Sequence, residues 1–586
     1  MGRSERCETV VDWYKHIDSF EHVRLTRESV SAAGKTGSRG KAGDTTVEWS
    51  LAAVQDVVCG EVPDRDMLVW EGFRRTHGEV VARSRRLAAF LVERGLGVRR
   101  QRSHLERWEC GQSPVGLIMH NCPEYIEAMS GCFRARAVPF NVNHYYSPAE
   151  MGAVLDMVGA EVVIYHRSLA SVVGAALGDQ PRILVELNDE PDAPGIPGSL
   201  DYEQIIESHQ ETSDLPVSSP DDLYLVCTGG TTGAPKAVLW RQGDIFISGM
   251  GGSEDTTPES LAGLAKQGMG TWFAASPLMH AAAQWTVFAC LHGGGTVVLH
   301  DDRARFDAER ILATVSREHV NLMTIVGDAY ARPLVEALER NPVDLPSLQV
   351  IGTGGAITSE ENKQALLRLI PHVTIRDGYG ASETGGMAFG SLSRNGATNG
   401  FTPGTGAVVV SADRTRVLRA GDDELGWTAR QGRVPLGYLN DPEKTESTFP
   451  VVSGVRLAVP GDRAKVEEDG SIRMLGRDSM VVNSGGEKVF VEEVEEALRS
   501  HPDVDDALVV GRPSDRFGQE VTAIVQLRDG ALVAPSELRE FVAKSIARFK
   551  APRAVAFCEV VSRHASGKPD YEWAFRAAQE AVSAMG

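Results

Sequence analysis

The chain has 586 residues, with 60 basic against 80 acidic side chains and a formal net charge of −20. That length exceeds what one compact core organises, so two or more domains are expected. The acidic balance argues against nucleic acid or an anionic membrane as the main partner, and no stretch approaches the apolar length of a transmembrane span.

The first residues, Met1 to Cys7, lack a charged-then-apolar signal pattern. Arg6 stands where a myristoylation signal carries Ser or Thr, and the expected compartment is the cytoplasm. A short helix over 10–20 leads into an arm over 29–46 rich in Gly, Ser, Lys and Ala, which reads as flexible. Thr76 or His77 opens an Arg-studded amphipathic helix that Gly95 stops. Residues 98–113 are more basic than their surroundings and read as an inserted, solvated surface loop. Short apolar runs at 115–119, 137–140, 160–165 and 182–185 then alternate with helical patterns, a signature of α/β layers built on a mostly parallel sheet. Residues 391–475 are rich in Gly and turns and read as β-rich. From 489 onward the pattern is compact α+β, with helices over 492–500 and 535–546 and strands over 506–511 and 520–527. The expected division is an N-terminal helix and arm over 1–46, a large domain over 47–477 and a small mobile domain over 478–586. The eight cysteines (Cys7, Cys59, Cys110, Cys122, Cys132, Cys227, Cys290, Cys558) form no Cys-x-x-Cys pair, and no His pair completes a zinc set with them. They read as reduced thiols, with Cys227 a packing residue.

The most informative stretch is Leu223 to Leu239. Two apolar, β-prone runs flank Thr228-Gly229-Gly230-Thr231-Thr232-Gly233-Ala234-Pro235-Lys236. Glycines and threonines let backbone N–H groups and hydroxyls close around phosphate oxygens. A Walker A loop needs Gly-Lys-Ser/Thr opening a helix, whereas Lys236 follows a proline and leads into a strand. A nucleoside triphosphate is therefore indicated, held in another manner.

This loop resembles the phosphate loop of the adenylate-forming enzymes, the superfamily of acyl-CoA synthetases, luciferases and nonribosomal adenylation domains. Gly229 replaces the usual Ser and Ala237 the usual Gly. Further segments resemble the same family in the same order. Ser276 to Trp285 contains His280, which the resemblance assigns to the acyl pocket, and its alanines leave room for an acyl group. Gly352 to Ala356, after a strand expected over 348–351, resembles the loop passing the adenine, with Gly354, Gly355 and Ala356 in contact. In Asp377-Gly378-Tyr379-Gly380-Ala381-Ser382-Glu383-Thr384 the resemblance places Tyr379 on the adenine ring, Thr384 near the α-phosphate and Glu383 on Mg²⁺. Val434 to Thr445 matches a segment that is mainly scaffold. Asp462, in Pro460-Gly461-Asp462, stands where the family accepts both ribose hydroxyls, and Arg477 assists at ribose or phosphates. Ser479 occupies the hinge position that relatives fill with Asp or Lys. Gly486 lies in a glycine loop resembling the border of the pantetheine channel, and Lys568, in Ser566-Gly567-Lys568-Pro569, resembles the catalytic lysine.

The resemblance implies ATP, Mg²⁺ and CoA as cosubstrates and a small-molecule carboxylic acid as substrate. Lys568, Thr232, Glu383 and His280 are the expected catalytic residues, and Thr228 to Gly233 with Lys236 the phosphate cradle. Within the family the motifs look like the fatty-acyl and steroid-side-chain CoA ligases. Two other readings stay open at this stage: a CoA-independent ligase or diazotase forming an amide, N–N or diazo bond on a small aromatic acid, and a non-catalytic binding protein. The identity of the acid and a homodimeric state are also open.

Overall fold

The computed structural model describes residues 47–583, apart from 179, 213, 229–234, 304–305, 399, 478–479, 485–486, 515–517, 547 and 565–566. The expected N-terminal helix and arm, the hinge at Ser479, Gly486 and the tip of the phosphate loop (Gly229, Gly230, Thr231, Thr232, Gly233) lie outside the described residues.

Two mixed sheets carry the larger part. The first is ordered Gly437–Tyr438, Lys236–Arg241, Leu223–Thr228, Val138–Asn141, Pro114–Ile118, Val162–His166, Ile183–Leu187, Leu200–Asp201. Its central strands run parallel. Pro114–Ile118 and Val162–His166 are buried at every position, which is why they read as continuous apolar runs without alternation. The second sheet runs parallel from Asp66–Trp70 through Thr296–Leu299, Thr271–Ala274, Leu322–Ile325 and Val350–Gly354 to Thr374–Ala381, and closes with the antiparallel Gly385–Ser393. Helices Leu51–Glu61, His77–Glu93, Pro123–Ala135 and Ala281–His292 share one apolar core with residues of both sheets. A six-stranded sheet drawn from 407–477 follows, and then a five-stranded sheet drawn from 481–558 and backed by helices Val491–Arg499, Pro535–Ser545 and Tyr571–Ser583.

The helix expected after Thr76 spans His77–Glu93. The Thr76 side chain accepts from the Glu79 N–H and the Glu79 carboxylate accepts from the Thr76 N–H, a capping box worth ~1 kcal/mol. The strand expected over 348–351 is found at Val350–Gly354, so two glycines read as loop belong to the sheet. Gly354 pairs with Gly378, and a Cβ at Gly354 would stand 2.8 Å from the Gly378 carbonyl. These glycines thus allow two backbones to close up beneath the site. The 98–113 loop is only partly a solvated excursion. Its base is stitched into the first sheet by Gln112, which donates to the Arg136 carbonyl and accepts from the Leu223 N–H, both at 2.7 Å.

Among the described residues no helix is long and apolar enough to cross a membrane, and seven cysteines are free. Cys227 is buried in the apolar cluster on the outer face of the first sheet.

Candidate active site

Ligands of parallel α/β sheets bind beyond the carboxyl ends of the strands. The two large sheets turn those ends toward each other around one cleft of about 2990 Å³. Thr228, Lys236, His280, Gly354, Gly355, Ala356, Asp377, Gly378, Tyr379, Gly380, Glu383, Asp462 and Lys568 all line it, although they are spread over most of the chain.

Glu383 sits in the turn between strands Thr374–Ala381 and Gly385–Ser393. The Tyr438 hydroxyl donates to its Oε1 at 2.6 Å, and the Trp240 indole N–H donates to the Ser382 carbonyl at 2.9 Å. The turn is therefore tied to the strand that follows the phosphate loop. The Lys236 ammonium lies 5.6 Å from the Tyr438 ring centroid, so Lys236, Tyr438 and Glu383 form one chain of contacts. The Tyr438 segment reads in sequence as scaffold, and nothing local in it reveals a partner 55 residues upstream. A hard cation bridging phosphates suits this donor set: an anchored carboxylate whose Oε2 is not taken by Tyr438, beside the residues expected to cradle phosphate.

Thr384 is placed differently from its expected role. It is 0 % exposed and does not line the cleft. Its hydroxyl oxygen accepts from the Ala381 N–H at 2.9 Å and its O–H donates to the Gly385 carbonyl at 3.0 Å. These bonds fasten the turn that presents Glu383.

On the nucleoside side, the Tyr379 hydroxyl donates to Asp462 Oδ2 at 2.6 Å and lies 3.0 Å from the Thr428 hydroxyl. Tyr379 is thereby held across the gap between the second sheet and the six-stranded sheet. Asp462 is buried at the start of its strand, opposite Arg477 in register. The Arg477 side chain is outside the described atoms. Asp377 is engaged in an ion pair with Lys363. Arg430, which sequence reading passed over, is buried at the cleft wall and donates to the Gly386 carbonyl, anchoring the hairpin that carries Glu383.

His280 caps the start of helix Ala281–His292 and faces the cleft. Burial, reinforced by the charge of Lys568, pushes its imidazole down to about 3, so it stands neutral. Beyond it, Trp272, Met279, Trp285, Leu261, Leu264 and the small Gly249 and Ala289 form an apolar end of the cleft. Gly327 does not line the cleft. Its φ is +57° and a Cβ there would stand 2.7 Å from the Ala356 Cβ, so it serves the packing of the adenine-side loop.

Lys568 reaches the cleft from the C-terminal five-stranded unit. Its carbonyl accepts from the His564 N–H at 2.9 Å, and the Gly567 N–H donates to the His564 carbonyl at 2.8 Å. Arg563, paired with Asp506 at 2.8 Å, donates to the Gly567 carbonyl at 3.2 Å. Gly567 has φ +77°, and a Cβ there would stand 3.1 Å from the Ala329 Cβ, so only glycine lets the lysine turn dock this closely. Arg332 pairs with Asp505 at 2.6 Å and Arg528 with Glu361 at 3.0 Å, fastening the same docked arrangement.

Comparison with known proteins agrees with this geometry. The AMP-binding enzyme family matches residues 56–427, and the AMP-binding enzyme C-terminal domain matches 493–568. The chain is 44 % identical over 542 residues to the medium-chain acyl-CoA ligase Mig of Mycobacterium avium, covering 91 % of this chain and 98 % of that one. It is 37 % identical over 536 residues to a 3-oxocholest-4-en-26-oate–CoA ligase of Rhodococcus rhodochrous, covering 88 % and 93 %. Among solved structures, the anthranilate CoA ligase AuaEII in complex with anthranoyl-AMP superposes with a TM-score of 0.77 at 21 % identity, covering 93 % of this chain and all of that one, a likeness of fold. With two family matches in the expected order around one cleft, the chain belongs to the AMP-binding enzymes, the adenylate-forming superfamily.

Proposed function

We propose that this protein is an ATP-dependent acid–CoA ligase whose acid is a medium-chain fatty acid or a similarly apolar carboxylic acid. The observation that carries the reading is the meeting, in one cleft, of Lys568, Glu383, the Tyr379–Asp462 pair and an apolar end beyond the neutral His280. The names of the relatives at 44 % and 37 % identity support the acid class and the CoA acceptor. No observation favours a CoA-independent acceptor over CoA, and the placement of Glu383, Asp462 and Lys568 argues against a binding protein without chemistry.

In the first half-reaction the acid's carboxylate oxygen attacks the α-phosphorus of ATP and pyrophosphate leaves, giving an acyl-adenylate. Lys568 supplies a positive charge that can bridge the attacking carboxylate and the α-phosphate as charge redistributes. Lys236 and the Thr228 loop hold the departing phosphates. Asp462 accepts from the ribose hydroxyls, and Tyr379 offers its ring face to the adenine. Glu383 would hold Mg²⁺, which supplies charge neutralisation on the phosphate oxygens. His280 stays uncharged, so the wall beside the acyl group attracts neither the substrate carboxylate nor a proton. In the second half-reaction the CoA sulfur attacks the acyl carbon, the C–O bond to AMP breaks, and the thioester and AMP leave. Lys568 belongs to the first step alone. The C-terminal unit (from about 478) withdraws it and brings the Gly486 loop to the cleft.

The test is a panel of acids graded by chain length, with steroid-side-chain and aromatic acids included, read by pyrophosphate release with Mg·ATP in the presence and absence of CoA. Multiple turnover only with CoA, with an acyl-CoA product by mass spectrometry, is the expected result. Failure of every acid to exchange labelled pyrophosphate into ATP overturns the ligase reading, and CoA-independent turnover with an amine overturns the acceptor.

A further inference from the structure

Behind His280, and outside the lining of the cleft, three residues come together that the ligase chemistry does not use. His120 follows strand Pro114–Ile118, His144 follows strand Val138–Asn141, and Asp302 follows strand Thr296–Leu299. The first two strands belong to the first large sheet and the third to the second, so the cluster sits where the carboxyl ends of both sheets converge. One ligand atom from each residue lies within 4.8 Å of the others, and all three residues are buried, to 9 %, 6 % and 5 % exposure. The His120 and His144 ring centroids are 4.4 Å apart.

Four polar atoms of this cluster lack hydrogen-bond partners. Neither ring nitrogen of His144 makes a hydrogen bond, and the same holds for His120 Nδ1 and Asp302 Oδ2. His120 Nδ1 lies 3.4 Å from Asp302 Oδ1 without the geometry of a hydrogen bond. The other contact at Asp302 is oriented from outside the cluster: its Oδ1 accepts from the Asn121 N–H at 2.8 Å, fixing the carboxylate. Buried polar atoms are almost always satisfied, so unpartnered atoms on all three residues, with one ligand atom of each within 4.8 Å of the others, ask for an occupant. Two imidazoles and one carboxylate form the donor set that divalent transition metals favour, and it lacks the wealth of oxygens that Mg²⁺ or Ca²⁺ requires.

We propose that His120, His144 and Asp302 bind a divalent transition metal of the zinc class, separate from the magnesium that accompanies ATP, and that this metal clamps the strand ends of the two sheets behind the His280 wall of the acyl pocket. No spacing rule reveals the site, because its members come from three separate strand–loop junctions and include no cysteine.

The test uses the full chain without a polyhistidine tag, freed of metal by chelation and then equilibrated with Zn²⁺ or Co²⁺ in parallel samples. Elemental analysis after removal of free metal is expected to give about one ion per chain, and Co²⁺ is expected to give a visible absorption band of a nitrogen- and oxygen-ligated site. His144→Asn and the near-isosteric Asp302→Asn are each expected to lose at least ten-fold in affinity, and the rise in thermal midpoint with Zn²⁺ seen in the wild type is expected to vanish in both. Near-UV circular dichroism of the metal-free forms checks that the variants fold, and the second variant keeps the test decisive if the first does not. Wild-type protein that retains no ion, or folded variants that bind as well as the wild type, overturns the proposal. Because metal content is read without turnover, failure here is distinguishable from failure of the ligase reading.

Discussion

The Tyr438 hydroxyl donates to Glu383 Oε1 at 2.6 Å, joining an edge strand of the first sheet to a hairpin turn of the second. This bond holds the carboxylate in position before any ligand arrives, so its loss is expected to loosen cation binding without removing the ligand itself. Tyr438→Phe is expected to raise the Mg²⁺ concentration for half-maximal pyrophosphate release by about three- to ten-fold, the scale of one hydrogen bond to a charged group. Glu383→Gln is expected to lower kcat/KM for ATP by about 10²–10³. A magnesium titration of both variants checks this, and an unchanged titration in Glu383→Gln removes Glu383 as the metal ligand.

Asp462 already accepts from Tyr379, so its Oδ2 has two tasks: orienting the aromatic ring and meeting a ribose hydroxyl. Asp462→Ala is expected to weaken ATP by about 10–100-fold in KM, whereas Tyr379→Phe, which keeps the ring and loses one hydrogen bond, costs only a few-fold. Deoxy analogues of ATP sharpen the comparison. Wild type and Asp462→Ala should converge on an analogue lacking the ribose hydroxyls. An equal penalty for both nucleotides would show that Asp462 only positions Tyr379.

Lys568 enters the cleft on a turn that Gly567 alone can accommodate against Val326 and Ala329. Lys568→Ala is expected to lower acyl-adenylate formation by at least about 10²-fold while leaving thioester formation from supplied acyl-adenylate within a few-fold. Gly567→Ala is a sharper probe of docking. The lysine remains, but a methyl group would press on the Ala329 side chain from a backbone with φ +77°, so adenylation falls while the second half-reaction is spared. Both half-reactions are measured in single turnover, and equal loss in both for Gly567→Ala refutes the docking argument.

How far the sequence told this in advance depended on how local each signal was. The phosphate loop, the hairpin of Glu383 and the lysine turn each lie at a junction of strand and loop, where glycine and a polar residue at fixed spacing mark the chemistry. Thr228, Lys236, Glu383 and Lys568 from these motifs reach one cleft, whereas the Thr384 hydroxyl is spent within its own turn. Thr384 shows why: a hydroxyl beside a carboxylate in a motif looks the same whether it meets phosphate or backbone, and only the direction of the side chain decides. Relationships between distant segments had no sequence signal. Tyr438 with Glu383 and the histidines with Asp302 depend on how two sheets face each other, and Arg332 with Asp505 on how the C-terminal unit docks; periodicity within one segment cannot supply either. The 348–351 strand was placed too early because Gly352 and Gly354 look like loop residues, while here they permit close pairing with Arg376 and Gly378.

Burial of His77 and His292 is expected to contribute to the acid limb of stability. Both are buried, and burial pushes each imidazole from 6.5 down to about 4, although each is hydrogen-bonded to a carbonyl: His77 Nε2 to Gly295 at 3.2 Å and His292 Nδ1 to Met250 at 3.0 Å. One ring nitrogen therefore carries the proton that donates, and the folded protein resists adding a second. In the unfolded chain the same groups take up that proton near pH 6.5, so between pH 6.5 and 4 the unfolded state binds more protons. Stability from these groups is then fully present above pH 6.5 and is lost as pH falls through 4, by roughly 3 kcal/mol for each group. His292→Gln, which keeps a donor for Met250 and cannot titrate, is expected to cost stability at pH 7.5 yet to flatten the fall of the urea midpoint between pH 6.5 and 4.5. An acid limb as steep in His292→Gln and His77→Gln as in the wild type would assign acid sensitivity to other groups, the carboxylates or the remaining buried histidines.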